Sequence, residues 1–130
     1  MSILRIEPLP GYSAAIGRLV CMLTYVRETL IATVRDLGPR ELDHRHDAAS
    51  NSIGALLSHA VAVERYYQLF TFEGREPSPE EEARWSAALD LGEAGRRCLR
   101  GHDLPWYLAE LAATRKATLA ALAERDDAWL

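Results

Sequence analysis

Four histidines, His44, His46, His59 and His102, are the residues of this 130-residue chain best suited to chemistry near neutral pH. An imidazole can hold a divalent metal or carry a proton. No two of the four are four apart, however, the spacing with which one helix grips a metal. His44 and His46 fall in a polar stretch and read as solvated loop residues. His59 stands three after Leu56 and four before Val63, and so shares the helix face expected to turn inward. Spacing leaves two readings of it open: a core histidine satisfied by a neighbouring polar group, or a metal ligand.

The remaining reactive groups give weaker signals. Glu64 is rotated by about 140° from His59 on a helix, too far to share its face, which points to a structural role near Arg65 or a facing helix. Arg115 interrupts an apolar stripe, where a guanidinium binds an anionic ligand, pairs with a carboxylate or extends its head to water. Cys21 has no histidine near it in sequence and no helix end to activate it. With Cys98 it makes two cysteines, far apart, that read as unbonded thiols in a reducing cytoplasm. Trp85, Trp106 and Trp129 read as packing anchors. There is no Gly-x-Ser-x-Gly elbow, phosphate-cradling glycine loop or spaced carboxylate pair.

What must position these groups is a set of helices. Tyr12, Ile16, Leu19, Leu23, Val26, Leu30, Val34 and Leu37 recur at steps of three and four and predict a first long helix between Pro10-Gly11 and Gly38-Pro39. A polar connection, Arg40 to Asn51, leads to Ser50-Asn51-Ser52, any of which can cap a second helix. Its expected inward stripe is Ile53, Leu56, Leu57, Ala60, Val63, Tyr67 and Phe70. Ser78 and Glu81 make a capping box, with Pro79 at the first helical position, for a short helix to about Leu89. Residues 90–102, with Gly92, Gly95 and Gly101, predict a connection without a strut. Asp103 caps a last long helix whose stripe is Leu104, Tyr107, Leu108, Leu111, Arg115, Leu119 and Leu122. The fold class is all-α: an up-down bundle of three long helices and one short one, in a single domain spanning residues 1–130.

Composition bounds the function. Nineteen acidic against fifteen basic residues, with no basic block, argue against nucleic acid as a partner. Met1 to Pro10 lacks the pattern of a leader peptide, and no apolar run is long enough to span a membrane, so a cytoplasmic location is expected.

The run Asn51-Ser52-Ile53-Gly54-Ala55-Leu56-Leu57-Ser58-His59-Ala60, followed by Val63-Glu64-Arg65-Tyr66-Tyr67, resembles the second helix of the DinB-like superfamily. The first and last long helices are similar to that family's first and third, so the likeness covers most of the chain. The resemblance implies a four-helix bundle and, in many members, a divalent metal such as zinc or nickel held by three histidines, one on the second helix and two on the last. His59 matches the first of these. It also implies a metal-dependent transferase or isomerase that uses a low-molecular-weight thiol such as mycothiol or bacillithiol. The sequence departs from the family by stopping at Asp126-Asp127-Ala128-Trp129-Leu130, where a fourth helix with paired histidines would follow. The expectation is a chain truncated relative to the family, with a degenerate or incomplete metal site. The groove left by the absent helix would then be covered by a second copy, in a homodimer. The alternative is a non-catalytic helical binding or assembly module with His59 packed in its core.

Overall fold

The computed structural model describes residues 5–130. Met1 to Leu4, the start of the segment read for a leader peptide, lie outside the described residues. Among the described residues every regular element is helical: α1 (Ala14–Val34), α2 (Pro39–Asp43), α3 (Ile53–Gln68) continued by a π turn (Leu69–Glu73), α4 (Pro79–Asp90), α5 (Gly92–Cys98) and α6 (Leu104–Ala123). None of these helices is long and apolar enough to cross a membrane. The chain forms two compact units, one from the residues up to Asp36 with Lys116–Leu130, the other Leu37–Arg115.

In the first unit, the start of α1 is held by a residue far away in sequence. Asp127 Oδ1 accepts hydrogen bonds from Ser13 Oγ at 2.6 Å, Ala15 N at 3.0 Å and Ile16 N at 3.3 Å. A carboxylate there satisfies first-turn amides and complements the positive end of the helix dipole. The Ser13 hydroxyl, then the Ala15 amide, hold the Asp127 carboxyl below its usual range. Gly17 lets residues 8 and 9 cross the helix, since a Cβ there would meet Leu9 N at 2.8 Å. Ile16, Val20, Cys21 and Val34 are buried, whereas Val26, placed inward by the sequence pattern, is 61% exposed. The helix stops at Val34, so Gly38-Pro39 does not end α1; Pro39 instead opens α2.

The second unit carries α2 to α5 and the first three turns of α6. Two stretches expected to be connections are partly helical, α2 within the polar stretch and α5 within residues 90–102. Glycine was weighed against a helix at Gly95 for its intrinsic cost. The structure uses it for close approach instead: a Cβ at Gly95 would sit 3.1 Å from Ala87 O. The break between α4 and α5 falls at Leu91 and Gly92, both in the left-handed region (φ 59° and 65°).

The expected caps are in place. Ser52 Oγ accepts Ala55 N at 3.0 Å, and Asp103 Oδ1 accepts Trp106 N at 3.0 Å. Ser78 Oγ accepts Glu81 N at 3.2 Å while Glu81 Oε1 accepts Ser78 N at 2.9 Å. Arg75 adds a bidentate pair to Glu81, at 2.6 and 3.0 Å. The Arg75 guanidinium, then the Ser78 amide, lower the Glu81 carboxyl from 4.5 to about 2. A carboxyl whose folded value is depressed stabilises the fold above its unfolded value. That contribution is lost as pH falls from about 4.5 towards about 2. Glu81→Gln is therefore expected to lower the melting temperature at pH 7 and to flatten its acid limb in this window. A melting curve parallel to wild type from pH 7 to pH 2 would refute the link.

The face that α3 buries corrects the sequence pattern. Ile53, Leu56, Tyr67 and Phe70 of the expected stripe are 37%, 47%, 66% and 46% exposed. The buried positions are Gly54, Ala55, Leu57, Val61 and Ala62, centred on roughly the opposite side of the helix at about 100° per residue. Counting apolar side chains by size selects the wrong face, because the small residues are what allow neighbouring helices to come close. On α6 the buried line runs through Tyr107, Leu111 and Leu122 as expected, joined by Thr114 and Thr118. Thr114 Oγ1 donates to Glu110 O at 2.8 Å, and its own carbonyl accepts Gln68 Nε2 at 2.8 Å.

Candidate functional site: the cavity lined by α3, α4 and α6

The small-residue face of α3 opens onto a cavity of about 490 Å³, within the second unit. Ser58, Ala62 and Arg65 line it at helical steps along α3, with Val61 beside them. Arg84, Trp85 and Ala88 of α4 form a second wall, and Trp106, Tyr107 and Glu110 of α6 a third. Leu99, just after α5, completes the lining. The volume is in the ordinary range for a small organic ligand.

The aromatic groups are fixed by one another. The Trp106 indole stacks on His102 with centroids 3.5 Å apart and planes 6° from parallel, and meets the Tyr107 ring edge-on at 5.1 Å. Trp85 meets Tyr66 edge-on at 6.2 Å, with the Arg84 guanidinium 5.9 Å from its ring centre. Two guanidinium groups against the single carboxylate of Glu110 leave the lining with an excess of positive charge. Arg65 makes only a long contact, 3.4 Å to Gln68 Oε1, and so keeps most of its donors for a ligand.

Tyr107 is 1% exposed, yet its hydroxyl has no hydrogen-bond partner among the described residues. It lodges against Gly54, where a Cβ would sit 2.8 Å from Tyr107 Cζ. Burial, with the charge of Asp43 adding to it, pushes the phenol above its ordinary value, so the hydroxyl stays protonated. A buried unpaired hydroxyl is uncommon enough in folded proteins to call for a physical reason.

His59 points at α4. Its Nδ1 lies 2.8 Å from Ala88 O. A carbonyl oxygen only accepts, so Nδ1 is the donor. The residue is half-buried and stands next to the cavity wall through Ala88, without lining the cavity itself. His44 and His46 are exposed, and His102 is stacked on Trp106. Among the described residues no three His, Cys, Asp or Glu side chains gather where they could hold a metal.

Glu64 and Arg115 find each other. Arg115 Nε donates to Glu64 Oε1 at 2.8 Å, and each side chain is only 15% exposed. The guanidinium that interrupts the apolar stripe of α6 is thus paired with α3. Cys21 is buried in the first unit and Cys98 exposed in the second, both free thiols.

Sequence reasoning singled out none of the polar cavity residues: Ser58, Arg65, Arg84 and Glu110 belong to three helices and meet only in the fold. One signal was available, since Ser58, Ala62 and Arg65 recur at helical spacing as a stripe of small residues ending in a charge.

No curated protein matches the chain. Residues 18–130 match the model of the mycothiol-S-transferase family, a span that includes every residue of the cavity. With that match over most of its length and an all-helical structure, the chain belongs to the mycothiol-S-transferase family, within the DinB-like superfamily.

Proposed function

We propose that this chain joins mycothiol, through its sulfur, to a small electrophile held in the cavity lined by α3, α4 and α6. The observation that carries the reading is the lining itself: two indoles and two guanidinium groups around about 490 Å³. Indole faces hold a flat or apolar electrophile and exclude water from one side of it. The Arg65 and Arg84 guanidinium groups favour thiolate over thiol, and the thiolate is the nucleophile. The thiol proton leaves to water. The thiolate attacks the electrophilic carbon, a C–S bond forms, and the leaving group departs with its electron pair. In an addition to an activated double bond, the carbon next to the new bond takes up a proton instead.

The metal implied by the resemblance does not fit the described residues. His59 offers Nε2 in the posture of a ligand, with Nδ1 fixed by a backbone carbonyl. Catalytic zinc ordinarily takes three protein ligands, and no group of three His, Cys, Asp or Glu side chains gathers among the described residues. The steps above therefore rest on the cavity side chains alone.

The test is the reaction. With mycothiol and a haloacetyl electrophile, thioether formation followed by mass spectrometry is expected to exceed the uncatalysed rate, both with chelator and with added zinc. Arg65→Ala is expected to lower kcat/KM by about tenfold, equivalent to about 1.4 kcal/mol of transition-state stabilisation. Product appearing only at the uncatalysed rate, in both conditions and with folded protein, would remove the proposal.

A further inference from the structure

Beside the aromatic cavity lies a second depression of about 400 Å³ with a different character, also within the second unit. Its walls carry Asp43, Asp47, Arg45, Arg96 and Arg100, with His44 and Ser52. Leu99 lines both this depression and the aromatic cavity. Leu99 thus stands between an aromatic lining and a charged, hydrogen-bonding one.

The hydrogen bonds already made show what the depression has left to offer. Asp47 Oδ1 accepts Ala49 N at 2.9 Å and Ser50 Oγ at 2.8 Å, and Oδ2 stays open. The Asp43 oxygens accept Gly101 N at 3.2 and 3.0 Å, and each retains acceptor capacity. Arg45 spends one nitrogen on Ala48 O at 3.0 Å, and Arg96 has a single long contact of 3.4 Å to Ala49 O. The Arg100 backbone amide donates to Cys98 O at 3.1 Å, while its guanidinium makes no hydrogen bond among the described residues. Both donors and acceptors remain, the donors in excess, in forked groups that present two atoms side by side.

That mixture of carboxylates and guanidinium groups selects the ligand class. A pocket for a phosphate or another small anion gains from guanidinium groups and loses from carboxylates. Here two carboxylates stand among three arginines. A polyhydroxylated ligand uses both kinds of group, because each hydroxyl donates once and accepts twice. Vicinal hydroxyls also match the bite of a carboxylate or a guanidinium. We infer that the Asp43–Arg100 depression binds the sugar-polyol body of the thiol substrate, on the far side of Leu99 from the electrophile. The inference rests on the S-transfer reading for the identity of the thiol, and its binding chemistry stands on the depression alone.

The experiment uses the thiol-free pseudodisaccharide glucosaminyl-inositol and inorganic phosphate as separate probes in calorimetric titrations of the full chain. Glucosaminyl-inositol is expected to bind, and phosphate not to displace it. Arg100→Ala and Asp47→Asn are each expected to weaken this binding by about tenfold, the loss of one hydrogen bond to a charged group, with melting curves confirming that both variants fold. Phosphate binding in place of the pseudodisaccharide, or pseudodisaccharide affinity unchanged in both variants, would overturn the inference. These titrations need no turnover, so they decide the matter even if the chain forms no thioether. If it does form one, the ratio of KM for mycothiol to KM for N-acetylcysteine, which lacks the polyol, is expected to rise about tenfold in Arg100→Ala. An unchanged ratio would overturn the inference and leave the transferase reading intact.

Discussion

Arg115→Ala is expected to destabilise the protein by about 2 kcal/mol, somewhat below the range for removing one partner of a fully buried ion pair, because this pair is partly buried. The pair it breaks is Arg115 Nε to Glu64 Oε1, 2.8 Å, with both side chains 15% exposed. Little of the loss is the Coulomb attraction itself. Most comes from Glu64, whose charge stays in a poorly hydrated place with the Arg115 hydrogen bonds lost. The same reasoning fixes the outcome of the double variant. Glu64→Leu with Arg115→Leu removes both charges and fills the space with apolar groups, so it is expected to recover most of the stability lost by the single change. Urea denaturation of the wild type, Arg115→Leu, Glu64→Leu and the double variant closes the cycle. Additive losses would show two independent side chains and sink the account. So would an Arg115→Ala protein with the wild-type midpoint.

Arg115 also shows where sequence reasoning reaches its limit. Its place on the apolar stripe of α6 was legible, and so was the choice between an ion pair and an anionic ligand. The partner was not, because Glu64 comes from α3 and only the helix packing brings them together. Local signals carried further. Ser52, Ser78 and Asp103 cap helices where expected, since a cap depends on residues within one turn. The long helices α1, α3 and α6 stand close to their expected bounds for the same reason. The rotation of α3 was misjudged because Ile53, Leu56, Tyr67 and Phe70 are larger than Gly54, Ala55 and Ala62, while packing on this helix rewards smallness. Asp127, which caps α1 from the other end of the chain, left no local trace. The cavity was hidden in the same way, with Ser58 and Arg65 on α3, Trp85 on α4 and Trp106 on α6 each unremarkable alone. The hydrogen bond between His59 Nδ1 and Ala88 O of α4 is a tertiary fact that spacing could not supply.

Gly54→Ala tests that lesson about small residues. In an exposed helix interior the change would stabilise by about 1 kcal/mol, since alanine is the better helix former. At Gly54 the sign is expected to reverse, with a net loss of about 2 kcal/mol, the scale of overpacking a filled interior. The new methyl group would fall 2.8 Å from Tyr107 Cζ, closer still to the Tyr107 hydroxyl oxygen, and 3.1 Å from Leu42 O. Neither neighbour yields easily: Tyr107 is 1% exposed and stacked edge-on against Trp106, and Leu42 O belongs to the backbone. Tyr107→Phe separates the contributions. It removes the oxygen nearest the methyl group, and because that hydroxyl has no partner, the single variant is expected to gain about 1 kcal/mol. Combining the two changes should then recover part of the Gly54→Ala loss. A Gly54→Ala protein that melts at or above the wild-type temperature would mean that α3 and α6 are not in this close contact. A stabilised Tyr107→Phe protein with slower thioether formation would give the unpaired hydroxyl its reason, as a donor kept for the ligand at the expense of the fold.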